Sequence, residues 1–248
     1  MLGDRFRKLK HGTERLNYGR ETIAEMVQQQ LGHVPQSDPL QVLDVGFGSG
    51  ADLLNIKDAL PGRSVNLMGV DSDPARVSEA SGKGITAVRF DIESDRLPFA
   101  DHFFDVVIAN QVMEHTKQIF WITSEISRVT KKSGWFIVGV PNIAALHNRI
   151  LLMLGEQPAS IELLGPHVRG FTKNSLVRFI TADDYFRVIQ VRGANFYPFS
   201  PSIARRLSRW LPSFSVVLIL LCQRTEKDGT FIQVLKDRLY ETNYFQGN

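Results

Sequence analysis

The chain has 248 residues, 43% of them hydrophobic and 22% charged, with a formal net charge of +3. That length and apolar content suffice to bury one sizeable core, and the near-balanced charge gives no argument for a nucleic-acid partner. A single cysteine excludes an internal disulfide framework and fits a reducing, cytoplasmic setting.

Residues 1 to 20 carry several basic residues (Arg5, Arg7, Lys8, Lys10, Arg15 and Arg20) and lack the apolar stretch of a signal peptide. Thr13 to Leu31 reads as a helix. A strand beginning near Gln41 runs through Val42-Leu43-Asp44-Val45 into Gly46-Phe47-Gly48-Ser49-Gly50 and a helix over Asp52 to Leu60. Glycines at 46, 48 and 50 permit open dihedrals and bring backbone N–H groups close to a ligand at a helix N-terminus. Gly46, Gly48 and Ala51 also satisfy the fingerprint of dinucleotide-binding proteins, so the glycines alone choose no ligand. Asp44 does. A pyrophosphate beside that carboxylate would be repelled in a cleft of reduced dielectric, whereas a ligand with adenosine, a sulfonium and an ammonium group would be favoured. S-adenosylmethionine has that make-up.

A second strand, Ser64 to Val70, ends in Asp71-Ser72-Asp73-Pro74, with Pro74 opening a helix to Ser81. Asp71 is placed to accept two ribose hydroxyls. A third apolar run, Ala87 to Phe90, ends at Asp91-Ile92, where a carboxylate can accept an adenine amino group beside a backbone N–H. A helix cap or a solvated turn explains each carboxylate taken singly; three at successive strand ends face one crevice. Further strands begin near Phe104 and Gly134, with a helix over Gln118 to Lys132 between them.

On Val42 to Gly50, Gly69-Val70-Asp71, Phe90-Asp91-Ile92 and Phe104 to Ala109 with Glu114-His115, the chain resembles class I S-adenosylmethionine-dependent methyltransferases. The likeness is to the broad type 11 group that includes quinone-biosynthesis enzymes, and it covers roughly residues 40 to 140. The resemblance implies an α/β fold: a Rossmann-like, doubly wound seven-stranded sheet, mostly parallel, with the last strand antiparallel and a helical lid. It implies one domain over 1–248, made of an N-terminal helical cap (1–35), a cofactor-binding core (40–141), an acceptor lid (142–171), the rest of the sheet (172–224) and a tail (225–248). It places Asp44, Gly46 and Gly48 at the methionine end of the donor, counts Phe47 among the cofactor-binding residues and puts Asp71 at the ribose. Ser72, Asp91 and Ile92 then surround the adenine, and Asn110 and Gln111 lie beside the methyl group. The cap is expected to close over the donor, with Tyr18 and Arg20 within reach.

Methyl transfer to a hydroxyl benefits from a base, and imidazole titrates in a useful range. His115, just beyond the fourth strand, is the first candidate, with His167 and His147 on the lid as alternatives; a structural histidine paired with Glu114 is the competing reading. No metal is called for. Base methylation on DNA is disfavoured because Asn110-Gln111-Val112-Met113 stands where amino-methylating enzymes carry an Asn/Asp-Pro-Pro-aromatic motif. Cytosine-C5 chemistry is disfavoured because Cys222 lies in a late apolar strand, and the glutamate pair of protein-arginine enzymes has no match. The remaining acceptors are a small molecule, a glycan precursor or a lipid-linked compound, and Leu151 to Leu154 with Phe171 suggest an apolar portion. The rivals are an NAD-dependent oxidoreductase and an S-adenosylmethionine-binding protein without turnover.

Past the lid, a helix over Lys173 to Thr181 leads to strands at Arg187 to Gly193 and Ser215 to Gln223. Val216 to Cys222 is far too short an apolar run to span a bilayer. Between the strands, Pro201 to Pro212 reads as an amphipathic helix, with Ile203, Leu207 and Trp210 on one face, Leu211 near its edge, and Arg205, Arg206 and Arg209 beside them. It either docks on the sheet or makes a weak peripheral membrane contact. The tail Glu241 to Gly247 resembles a protease site used in cloning, but Asn243 departs from the usual leucine; it is read as natural sequence without assigned function. The oligomeric state stays open.

Overall fold

Runs of valine, isoleucine and leucine that alternate faces without alternating in polarity require cover on both sides, as parallel strands do. The computed structural model, which describes residues 18–32, 38–235 and 243–247, provides it. Seven strands share one sheet: β1 (Leu40–Val45), β2 (Val65–Asp71), β3 (Thr86–Arg89), β4 (Phe104–Asn110), β5 (Thr130–Pro141), β6 (Phe186–Ala194) and β7 (Val217–Arg224). The helices are α1 (Arg20–Leu31), α2 (Ala51–Ala59), α3 (Pro74–Ala80), α4 (Ile119–Val129), α5 (Leu146–Met153), α6 (Lys173–Ile180) and α7 (Pro201–Trp210).

The strand order is β3-β2-β1-β4-β5-β7-β6, with β7 antiparallel to both neighbours and the other pairings parallel. Successive residues of β1 serve opposite cores. Leu43 and Val45 pack with α4 and α6 on one face, and Leu40 and Val42 with α1, α2 and α3 on the other. Each fully buried aliphatic side chain contributes roughly 1.5 to 3 kcal/mol. The expected fold class is the observed one.

Boundaries differ from expectation in two places. The helix before β5 ends at Val129, not Lys132, because Thr130 already pairs with Phe104, and the pairing shifts register between Phe104 and Val106. Ladder hydrogen bonds outweigh the helix preference of Lys131 and Lys132. The N-terminal helix starts at Arg20, since Tyr18 and Gly19 both have positive φ and form a turn. Its expected start at Thr13 and the basic residues before Tyr18 lie outside the described residues.

The parallel strands deliver their carboxyl ends, and hence Asp44, Asp71 and Asn110, to one edge of the sheet. Two inserts rise from that edge. The first, from 142 to 171, contains α5 and is closed at its base by a bridge between Asn142 and Phe171. The second joins Ala194 to Val217 and contains α7. Pro141, Val217 and Ala194 are register partners in turn, so both inserts stand beside the same crevice. Asn142 ties them together, its Nδ2 donating to the Ser213 and Ser215 carbonyls at 3.0 and 2.9 Å.

The described tail residues pack on α4. Tyr244 meets Phe120 edge-on at 4.9 Å, and Phe245 meets Trp121 at 5.1 Å.

Candidate active site

The glycine turn is shaped by what surrounds it. Gly46 and Gly50 have φ of 72° and 78°. A Cβ on Gly46 would lie 2.7 Å from Val112, and one on Gly50 would lie 2.4 Å from Ile85. Both positions therefore need glycine for conformation and for space. Phe47 is buried with its ring over Gly69, where a Cβ would come within 2.6 Å. Its side chain serves the core, and its backbone alone faces the turn. Gly48 donates its N–H to Asp71 Oδ2 at 3.0 Å, which joins the first and second strand ends.

Under this turn lies a cluster of buried polar groups that the described protein does not satisfy. Asp44 is 2% exposed, and its Oδ2 has no hydrogen-bond partner; the same holds for Asp52 Oδ1, Asn110 Oδ1, Gln111 Nε2 and Arg20 Nε. Asn110 Nδ2 donates to Asp52 Oδ2 at 3.1 Å and to the Tyr18 carbonyl at 3.3 Å. Its side chain fits because residue 139 is glycine: a Cβ there would sit 2.1 Å from Asn110 Oδ1. Arg20 Nε lies 3.8 Å from Asp52 Oδ2 and the guanidinium rests on the Tyr18 ring, so α1 reaches the cluster. Gln111 turns the chain out of β4 with φ of 59°, a costly conformation for a non-glycine residue and one that concentrates at functional sites.

Burial raises the Asp44 carboxyl well above the usual range, with Asp52 and Asp71 adding to the effect and Arg20 opposing it; burial raises Asp52 as well. Three carboxylates against Arg20 and the exposed Arg76 still leave an excess of negative charge for which a cation is the natural partner. The unsatisfied acceptors and this excess fit the sulfonium and ammonium groups of S-adenosylmethionine and oppose a diphosphate.

At the other expected contacts, Asp71 already accepts from Gly48 and Arg76 on Oδ2 and from Asp73 on Oδ1. Two ribose hydroxyls need Arg76, an exposed residue, to swing away. Ser72 is exposed at the end of β2, and Asp91 is exposed with Oδ1 capping its own turn at the Glu93 N–H. Ile92 is half-buried against the core.

A second cluster stands where the β4 loop meets the lid. Glu114 is 1% exposed with both carboxylate oxygens unpartnered, and burial pushes its carboxyl up to about 7. His115 Nε2 lies 3.9 Å from Glu114 Oε1, and the imidazole is 43% exposed. The His115 and His167 rings meet edge-on at 4.6 Å, and His167 Nδ1 is 2.6 Å from the Ser160 carbonyl. Burial first and His167 second lower the His115 pKa, partly offset by the Pro166 carbonyl. One atom each of Glu114, His115 and His167 falls within a mutual spacing of 4.8 Å. The Glu114 carbonyl accepts from the Val168 and Arg169 N–H groups, and Arg169 binds the Thr116 and Lys117 carbonyls, so the lid end is stitched to this loop.

Of the three candidate histidines, the structure brings His115 and His167 together, whereas His147 packs on Tyr197 at 5.6 Å. Leu151 and Phe171, expected to greet an acceptor, are buried instead. Asp52 escaped the sequence reading; its position in the first turn after Gly50 was the available signal. Cys222 is buried and its thiol is pushed up, so it is no nucleophile.

Residues 43–138 match the family model described as "Methyltransferase domain". An uncharacterized methyltransferase of Mycolicibacterium vanbaalenii is 34% identical over 99 residues, 38% of this chain and 36% of that protein. A ubiquinone biosynthesis O-methyltransferase of Sinorhizobium fredii is 24% identical over 147 residues, 56% of each. The chain spans less than two thirds of the length of these curated relatives. Among solved structures, the CurJ carbon methyltransferase superposes with a TM-score of 0.60 at 16% identity, over 84% of this chain and 54% of that one, a likeness of fold. Residues 43–138 thus match a methyltransferase domain, and the glycine turn, the buried carboxylates and the sheet order make the chain similar to class I S-adenosylmethionine-dependent methyltransferases.

Proposed function

We propose that the chain moves the methyl group of S-adenosylmethionine to a hydroxyl of a small-molecule, glycan-precursor or lipid-linked acceptor in the cytoplasm. The observation that carries this reading is the Glu114, His115 and His167 cluster at the junction of the β4 loop and the lid. When bound, the donor supplies a methyl group already activated by a sulfonium, so the chain needs chiefly to align reactants and manage one proton. Asp44, Asp52, Asn110 and Gln111 hold the donor through the polar atoms they leave unpaired. Gly46 and Gly48 offer backbone, and Asp71, Ser72, Asp91 and Ile92 line the ribose and adenine end.

His115, kept neutral by burial, would take the acceptor's hydroxyl proton as the methyl carbon bonds to oxygen and its bond to the donor sulfur breaks, the sulfur leaving as a neutral thioether. Glu114, raised towards neutrality, and His167 share or stabilise that proton. The pairing of one histidine held low with one carboxyl held high suits proton transfer near neutral pH. The ubiquinone-biosynthesis O-methyltransferase and the CurJ carbon methyltransferase act on different atoms, so likeness to them selects no acceptor atom for this chain.

His115→Ala should slow single-turnover transfer of a labelled methyl group to hydroxyl acceptors by roughly a hundredfold, leaving the donor Kd unchanged. A rate within a few-fold of the parent would return His115 to a structural role. Loss of activity on chelation, restored by a divalent ion, would reassign the three side chains to a metal.

A further inference from the structure

Helix α7 is seated in an unusual way. It meets β6 through its small residues: Ala204 and Ser208 are buried, and a Cβ on Gly193 would lie 2.9 Å from the Ser208 carbonyl. With this close small-on-small contact, Leu207 is half-buried while Ile203 and Trp210 are left exposed. Trp210 is 81% exposed, and Ile203 and Leu211 are exposed beside it. The sheet therefore leaves most of the apolar stripe of this helix uncovered.

The lid repeats the pattern. Met153 is 86% exposed and Leu164 103%, with Leu152, Leu154 and Leu163 also exposed. Among the described residues, the only exposed large apolar side chains outside the two inserts are Tyr18, Phe103 and Ile189. The inserts are joined through Arg149, whose guanidinium lies 4.4 Å from the Phe214 ring, and through the contact of His147 with Tyr197. Apolar exposure is thus gathered at the edge where the acceptor must enter, and such concentration marks an interaction surface.

Charge selects the occupant. Arg205, Arg206 and Arg209 are exposed on α7, which carries no acidic residue. Arg205 lies 3.8 Å from Glu21, whereas Arg206 and Arg209 have no ion-pair partner among the described residues. The lid balances Glu156 and Glu162 with Arg149 and Arg169, so the excess positive charge comes from the helix. Exposed tryptophan and isoleucine next to unpaired arginines match the boundary of an anionic bilayer, where rings sit among headgroups and guanidiniums meet phosphates. No helix among the described residues is long and apolar enough to cross a membrane, so contact would be at the surface.

We propose that α7 and the lid tip form a docking face for an anionic phospholipid surface, from which the site draws an amphiphilic acceptor. The acceptor half of this statement deepens the proposed methyl transfer and rests on it; the docking half does not. The test is co-sedimentation of the full chain with vesicles of phosphatidylcholine alone and of phosphatidylcholine with phosphatidylglycerol, each at low and high salt. Binding to the anionic vesicles alone, weakened by salt, is expected. Arg206→Gln with Arg209→Gln should weaken it about thirtyfold, from about 1 kcal/mol per arginine. Ile203→Ser with Trp210→Ser should weaken it at least tenfold, and donor binding by calorimetry should stay unchanged in both double variants.

Absence of binding by the parent chain, or variants that bind as the parent does, would overturn the docking face. Self-association that disappears in Ile203→Ser/Trp210→Ser, without vesicle binding, would assign the face to a second copy and also overturn it. Docking without methyl transfer would sink the transferase reading alone, and transfer without docking would sink this one alone.

Discussion

Two buried polar clusters in this molecule have similar composition and opposite fates. Glu125 and Arg128 sit on α4, both almost fully buried. Arg128 spends its donors on both Glu125 oxygens, on the Leu97 and Phe99 carbonyls and on Asp101, at 2.7 to 2.9 Å. Glu125 also accepts the Leu97 N–H at 2.7 Å. Nothing there is left for a ligand, and the pair clamps the loop before β4. Asp44, Asp52 and Asn110 are about as deeply placed and Arg20 is partly exposed, but each leaves a buried polar atom unmatched. A closed network specifies structure; an open one, held in place by the rest of the fold, holds binding energy in reserve.

The comparison breaks if the closed cluster proves dispensable. Arg128→Ala should cost about 3 to 5 kcal/mol of stability in denaturant titrations, because Glu125 would stay buried without its cation. Donor affinity of the folded fraction should hardly move.

Glu114 offers a sharper test, since it is buried and neither carboxylate oxygen has a hydrogen-bond partner. Its carboxyl ordinarily ionises near 4.5 and in the fold holds its proton to about 7. The folded chain therefore binds more protons than the unfolded one between those values. Its stabilising contribution is full below about 4.5 and is lost as pH rises through about 7, a span worth about 3 kcal/mol. Unfolding curves for Glu114→Gln should lack this loss between pH 5 and 8.

The smallest expected change in stability belongs to the open cluster. Asp44→Asn should leave the melting temperature unchanged or slightly higher, since a buried repulsive carboxyl is removed. Calorimetry should show donor affinity lower by about 2 kcal/mol, or thirtyfold, for loss of a charge-assisted contact. In the parent, affinity should fall with pH as Asp44 protonates. An Asp44→Asn variant that unfolds, or that binds the donor normally, would erase the distinction between the clusters.

Much of the candidate site was legible because glycines and strand-end carboxylates are local signals. Gly46, Gly48, Asp44 and Asp71 sit in short stretches whose dihedral and charge demands can be read from neighbours in sequence. Asp52 and the depth of Glu114 were not legible. Their meaning depends on Asn110, Arg20 and the lid, which lie far off along the chain, and on the absence of a partner, which no local pattern records. The amphipathic helix over 201–210 was visible in the spacing of Ile203, Leu207 and Trp210. Which side it would bury was not, because Gly193 and the small residues Ala204 and Ser208 decide that by close approach.

By itself, then, the sequence determined the strand-helix alternation, the glycine turn and the cationic, adenosine-bearing ligand that suits it, since periodicity, backbone freedom and charge act over a few residues. The tertiary structure alone decided that Thr130 joins a strand, that His115 meets His167 and that Trp210 faces outward. Those outcomes depend on pairing, burial and contact between segments that only the folded sheet brings together.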